Sequence, residues 1–161
     1  PLTREAAVTL ADSIEKMCGK RPEIIDGEPK PLPERAIWVG VQPAVKTLLP
    51  KVDTEFKHPE EILLATDGKH LLVAGRDRWD PNHMNVTVKK GVVKGEQHEY
   101  GTANAVFTLL QDKLGARWFW PGPLGEDLPK KTAIRLAPFE YRYHPQIRSR
   151  SGVLHYSGLG V

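Results

Sequence analysis

Two short apolar runs, Ile62-Leu63-Leu64-Ala65 and Leu71-Leu72-Val73-Ala74, flank an Asp67-Gly68 pair. Both runs have the length of a strand rather than a helix, and Asp-Gly favours a tight turn. The spacing therefore predicts a β-hairpin over residues 61–76. A hairpin this apolar must be part of a larger sheet with something packed on it, which constrains the rest of the chain.

Two segments have the periodicity to supply that cover. From Thr3 to Gly19, Ala7, Leu10, Ile14 and Met17 recur at spacings of three and four, which puts them on one helical face. Thr3 is the expected N-cap and Gly19 the expected stop. From Tyr100 to Leu114, Ala103, Val106, Phe107, Leu110 and Leu114 line a second face, between Gly101 and Gly115. A helix with one apolar stripe lies on a sheet.

The remaining elements are shorter. Ala36 to Val41 reads as a buried strand, and the stretch after Pro43 as one or two helical turns ending before Pro50. Residues 21–34 are proline-rich and suit a loop or sheet edge, with a short strand at Ile24-Ile25. Asp77 to Asn85 is polar and irregular. Residues 86–94 hint at a second hairpin around Lys90-Gly91. Ala116 to Trp120 and Thr132 to Ala137 read as strands, and residues 139–150 as an edge strand or linker. This order predicts an α+β fold, a two-layer sandwich with a mixed β-sheet and two main helices packed on one face. Residues 1–150 form the expected domain. Residues 151–161 are rich in small residues without periodicity, and read as a linker or the start of a following domain.

With 161 residues, 40% of them hydrophobic, the chain has enough material for one core. No apolar run approaches the roughly 18 residues of a membrane-spanning helix. The net charge of +3 is scattered rather than gathered into a stripe, which argues against nucleic acid as a partner. The single cysteine, Cys18, excludes an internal disulfide and a thiolate zinc set.

Signals for chemistry are sparse. The six histidines show no helical i, i+4 pair and no HExxH. No nucleophile elbow and no phosphate loop occurs. Glu60-Glu61 and Glu126-Asp127 are adjacent carboxylates, whereas glycoside hydrolysis needs carboxyl groups on opposite sides of the scissile bond. A solvated hairpin entrance and a turn are the expectations for them. Asp77, Asp80, His83 and His98-Glu99 fall within residues 77–100 and would make a metal site only if that excursion folded them together. Asn85-Val86-Thr87 fits the N-glycosylation acceptor pattern, a triplet common by chance.

Trp118, Phe119 and Trp120 remain. Strand alternation would put Trp118 and Trp120 on one face and Phe119 on the other, with at least one ring in the core. An indole left outside, Trp118 or Trp120, would suit the apolar face of a sugar or a contact between domains.

The first helix AAVTLADSIEKMCGKRPEI, the strand IWVGV, the hairpin EILLATDGKHLLVAGR and the run GTANAVFTLLQDKLGARWFWPGPLGEDLP occur in a fixed order. In that order the chain resembles, over residues 3–150, the non-catalytic α/β domain that precedes the catalytic barrel in several glycoside hydrolases. Examples are the second domain of β-N-acetylhexosaminidases and the N-terminal domain of α-glucuronidases. The resemblance implies a mixed sheet with two helices on one face, packed beside a (β/α)8 barrel that lies C-terminal in the same polypeptide. It implies no catalytic residue and no cofactor on this chain. Carbohydrate is a further implied partner, and an extracytoplasmic location follows from the resemblance alone. Residues 77–100 depart from the pattern as a long insertion. A carbohydrate-binding module using an exposed tryptophan, and a small metal-dependent hydrolase built on that insertion, are the alternatives.

Overall fold

The structure, a computed structural model, describes residues 2–80 and 96–147. Four strands form the main sheet in the order β1-β3-β2-β8: β1 (Ala36–Val39), β3 (His70–Gly75), β2 (Ile62–Thr66) and β8 (Phe139–Tyr143). β2 pairs antiparallel with both β3 and β8, while β1 runs parallel to β3, so the sheet is mixed. The expected hairpin is β2–β3. Asp67 Oδ1 accepts the Lys69 and His70 amides at 2.8 and 2.7 Å, and Thr66 Oγ1 accepts the Gly68 amide at 3.0 Å. Gly68 turns the chain at φ +92°, a backbone state that a Cβ disfavours.

Helices α1 (Leu2–Cys18) and α3 (Gly101–Thr108) cover one face of this sheet, giving the α+β sandwich that the periodicity predicts. Leu10 and Met17 of α1 meet Ile62, Leu64, Leu71 and Val73 of the sheet and Val106, Leu109 and Leu110 of the second helix. The opposite face is closed by the short helix α2 (Val45–Leu48) and the loop after it. There Val45 and Leu49 pack on Trp38, Leu63, Ala65 and Leu72. β2 and β3 are therefore buried on both faces, and a fully buried Leu or Val contributes about 1.5–3 kcal/mol.

Several expectations are corrected. Helix α1 begins at Leu2, so Thr3 lies inside it and points its hydroxyl at Asp77. Gly19 does end it, at φ +74° with its amide on Glu15 O. Phe107 is 43% exposed, because the buried stripe of α3 runs through Thr102, Ala105, Val106 and Leu109 and leaves residue 107 on its flank. Beyond Thr108 the helix widens into a π-turn (Leu109–Lys113), closed by the Leu114 amide on Leu109 O at 3.1 Å.

Ile24-Ile25 and Thr132–Ala137 form no strand and join no ladder among the described residues, whereas Phe139–Tyr143 is the edge strand expected at that end. Only Arg117–Trp118 (β6) of the strand expected over residues 116–120 is paired, with Glu126–Asp127 (β7), which is therefore a strand rather than a turn. The excursion begins and ends as a ribbon: β4 (Asp77–Asp80) pairs antiparallel with β5 (Glu96–Tyr100). The hairpin expected at residues 86–94, the acceptor triplet 85–87 and residues 151–161 lie outside the described residues.

The ribbon returns the chain to its point of departure. The Gly101 amide donates to Arg76 O at 3.0 Å, and the Thr102 hydroxyl bonds both Gly75 N and Gly75 O. Asp77 Oδ1 accepts the Thr102 amide at 3.0 Å and so satisfies one orphan donor at the start of α3. A Cβ at Gly75 would fall inside the Gly101 backbone, and one at Gly101 inside that of Arg76. The crossing needs glycine at both positions.

Candidate functional site

Past Gly115, at φ +85°, Ala116 is fully buried and its amide donates to Leu110 O. Arg117 then turns back and gives its guanidinium to Gln111 O and Ala116 O. A cation here satisfies carbonyls that the helix end leaves open. Trp118 packs against the helix-side core, with its ring edge-on to Phe107 at 5.6 Å and 80°. Its strand partner Glu126 forms an ion pair with Lys16 of α1. Both strands of the short β6–β7 hairpin are thus tied to helices.

The hairpin carries an exposed apolar tip. The Phe119 amide donates to Gly125 O at 2.8 Å, and the Gly125 amide to Gly122 O at 3.1 Å. Gly122 has φ +97°, and Gly125 lies against the Trp120 backbone with no room for a Cβ. On this closed loop Phe119 is 67% exposed, Trp120 57% and Leu124 90%. The Phe119 and Trp120 rings are 6.2 Å apart and tilted by 43°.

Of the two tryptophans singled out in the sequence, Trp120 faces solvent and Trp118 belongs mostly to the core. Strict alternation fails because the chain leaves the ladder after Trp118. Phe119 and Trp120 are therefore both exposed, and Leu124, which no motif marks, is exposed on the same loop.

The carboxylates are arranged as supports. Glu61, expected in solvent, is buried: its Oε2 accepts the Lys57 and His58 amides at 2.7 and 2.8 Å, and its Oε1 the Arg142 guanidinium at 2.7 Å. Burial pushes its carboxyl up, but the Arg142 bond, the two amides and the Arg142 charge outweigh that and hold it at about 2. Glu99, also buried, pairs with Arg76 at 3.0 Å and accepts the Glu60 amide. Glu60 itself takes φ +53°, which aims its amide there. Glu61, held by Arg142 and two amides, is fixed in ionised form and is not poised to donate a proton.

His58 and His144, which no spacing relates, stack with centroids 3.9 Å apart. Among the described residues no group of three His, Cys, Asp or Glu side chains comes together as a metal site would require. His83, which the alternative metal reading would need, lies outside the described residues. No described helix is long and apolar enough to cross a membrane.

No protein-family model, curated protein or solved structure matches this chain.

Proposed function

We propose that this chain is a non-catalytic accessory domain of a carbohydrate-active protein, a glycoside hydrolase whose catalytic barrel lies C-terminal in the same polypeptide. The observation that carries the reading is the tip at Phe119, Trp120 and Leu124, three exposed apolar side chains on one braced hairpin. Large rings on a rigid loop lose little entropy on burial, which is how interface anchors work. The order of elements that resembles the glycosidase accessory domain supports the same reading, with the tip seated on the barrel.

The test compares the chain alone with a longer polypeptide carrying the barrel. Trp120→Asp is expected to leave the midpoint of the isolated chain in place and to lower that of the longer protein. Equal midpoints for both longer proteins would overturn the docking role. The isolated chain is also expected to hydrolyse no aryl glycoside, and turnover abolished by a point substitution within it would overturn the accessory reading.

A carbohydrate-binding module is the second reading, favoured by the Trp120 indole with Phe119 beside it, since aromatic faces stack on apolar sugar faces. Titration with oligosaccharides separates the two. A saturable change in tryptophan emission that Trp120→Ala abolishes would establish sugar binding.

A further inference from the structure

The main sheet ends on one side at β1. β1 pairs with β3, and no described strand pairs with its other side. Its sequence, Ala-Ile-Trp-Val, carries no charge and no proline, so it lacks the usual defences of an edge strand. Parallel strands are normally paired and covered on both sides. Residues 20–35 pass nearby without a main-chain hydrogen bond to the sheet among the described residues.

Beside this edge runs a groove of about 1310 Å³, lined by Ala7, Ala11 and Ile14 of α1 and by Ile24, Ile37 and Ile134. The register places Ile37 opposite Leu71 and Val39 opposite Val73, on the face that α1 covers. Ile37 is nevertheless 39% exposed, and Ile25, another lining residue, 54%. Helix, sheet edge and the segment of Ile24-Ile25 thus leave apolar surface facing a common gap.

The charges at the groove are unequal. Arg4 is paired with Asp26, leaving Arg35, Lys69 and Arg135 against Glu23. Ala36 is in register with His70, so Arg35 and Lys69 flank the same end of the β1–β3 pair. Phe139 is in register with Thr66, just before the Gly68 turn, and Arg135 lines the groove together with Gly68 and Lys69, which brings its segment to that end as well. None of these three cations has an ion-pair partner among the described residues.

We propose that this groove takes an extended peptide strand of alternating apolar side chains, hydrogen-bonded along β1, with carboxylates at the end set by Arg35, Lys69 and Arg135. An open sheet edge supplies affinity through main-chain bonds, and the pockets beside it select alternate side chains. The cations fix polarity, because a strand laid the other way would bring its carboxylates to the end of the groove away from them.

The probe is an end-capped peptide of alternating valine and threonine with aspartates at one terminus, added to the whole chain. Saturable binding is expected, with slowed amide exchange at Ala36–Val39. Lysines in place of the aspartates should weaken binding about tenfold or more, as should Arg35→Glu. Ile37→Asp, at a position 39% exposed, should abolish it while the far-ultraviolet spectrum stays unchanged. Arg35→Glu provides a second test should Ile37→Asp disturb the fold. Absence of binding by the aspartate peptide would overturn the proposal. So would protection that appears at Phe119–Trp120 instead, or concentration-dependent protection of β1 without peptide, which would mean that a second copy pairs there.

Discussion

Arg142 of β8 reaches across the edge of the sheet and gives its guanidinium to Oε1 of the buried Glu61 at 2.7 Å. The same guanidinium bonds the Glu55 and Asp53 carbonyls and lies 5.8 Å above the Phe56 ring. Glu61 stands just before β2, while Arg142 is in register with Leu63 inside it. One ion pair therefore locks three things together: the last strand, the start of the hairpin and the loop that closes the second face.

Removing the arginine leaves a buried carboxylate with only its amide partners. Breaking one side of a buried pair typically costs about 3–5 kcal/mol, more than the pair itself contributes. Arg142→Met is thus expected to lower stability by about 3 kcal/mol in urea denaturation. Glu61→Gln with Arg142→Met should cost less than the sum of the two single changes, because they act on one network. Additivity within error would show that the two side chains are not energetically coupled.

The same carboxyl sets a pH dependence. Glu61 sits at about 2 in the folded chain against an ordinary 4.5, so the unfolded chain takes up the proton first as pH falls. Its stabilising contribution is full above about pH 5 and is lost as pH drops through the folded value. At roughly 1.4 kcal/mol per unit, the gap corresponds to about 3 kcal/mol. Asp67, lowered by the His70 and Lys69 amides, adds loss of the same sign. Unfolding free energy followed from pH 6 to pH 2 (both about) should fall steeply in the parent and much less in Glu61→Gln. Parallel curves would exclude Glu61 as the source.

Substitution at the strand–helix crossing should be severe. Gly101→Ala places a methyl group against the Arg76 backbone, where no side chain can rotate away. A loss of about 3 kcal/mol or more is expected, at the high end for a single change. Gly27→Ala, at a position with open space but φ +83°, should cost only about 1 kcal/mol. Thermal unfolding of the two variants side by side checks the ranking.

Local patterns made the sheet and its helices legible, because hairpin turn chemistry and single apolar stripes are properties of contiguous residues. What escaped the sequence depends on distant partners. Glu61 reads as solvated beside Glu60 because its partner Arg142 is 81 residues away. His58 and His144 are likewise unrelated in spacing, yet they stack. Phe107 falls on the apolar stripe by periodicity, but its neighbour is the Trp118 ring rather than the sheet. In the candidate site the aromatic run was visible, but its division into core and tip was not. That division arises at the tip of the hairpin, where Gly122 at φ +97° and the close approach of Gly125 to the Trp120 backbone turn the chain out of the strand.

This division gives the two indoles opposite expected responses to truncation. Trp118 is half-buried on the helix-side core and edge-on to Phe107, so Trp118→Ala removes packing and an aromatic pair. A loss of about 2–3 kcal/mol is expected, below the cost for a fully buried ring. Trp120 is 57% exposed and meets mainly Phe119, so Trp120→Ala should stay within about 0.5 kcal/mol of the parent. Emission should separate them as well: loss of Trp118 removes a blue component, and loss of Trp120 a red, readily quenched one. Iodide quenching of the two variants, together with their urea midpoints, tests the assignment. A large stability loss from Trp120→Ala would place that ring in the core and remove the exposed tip on which the docking role depends.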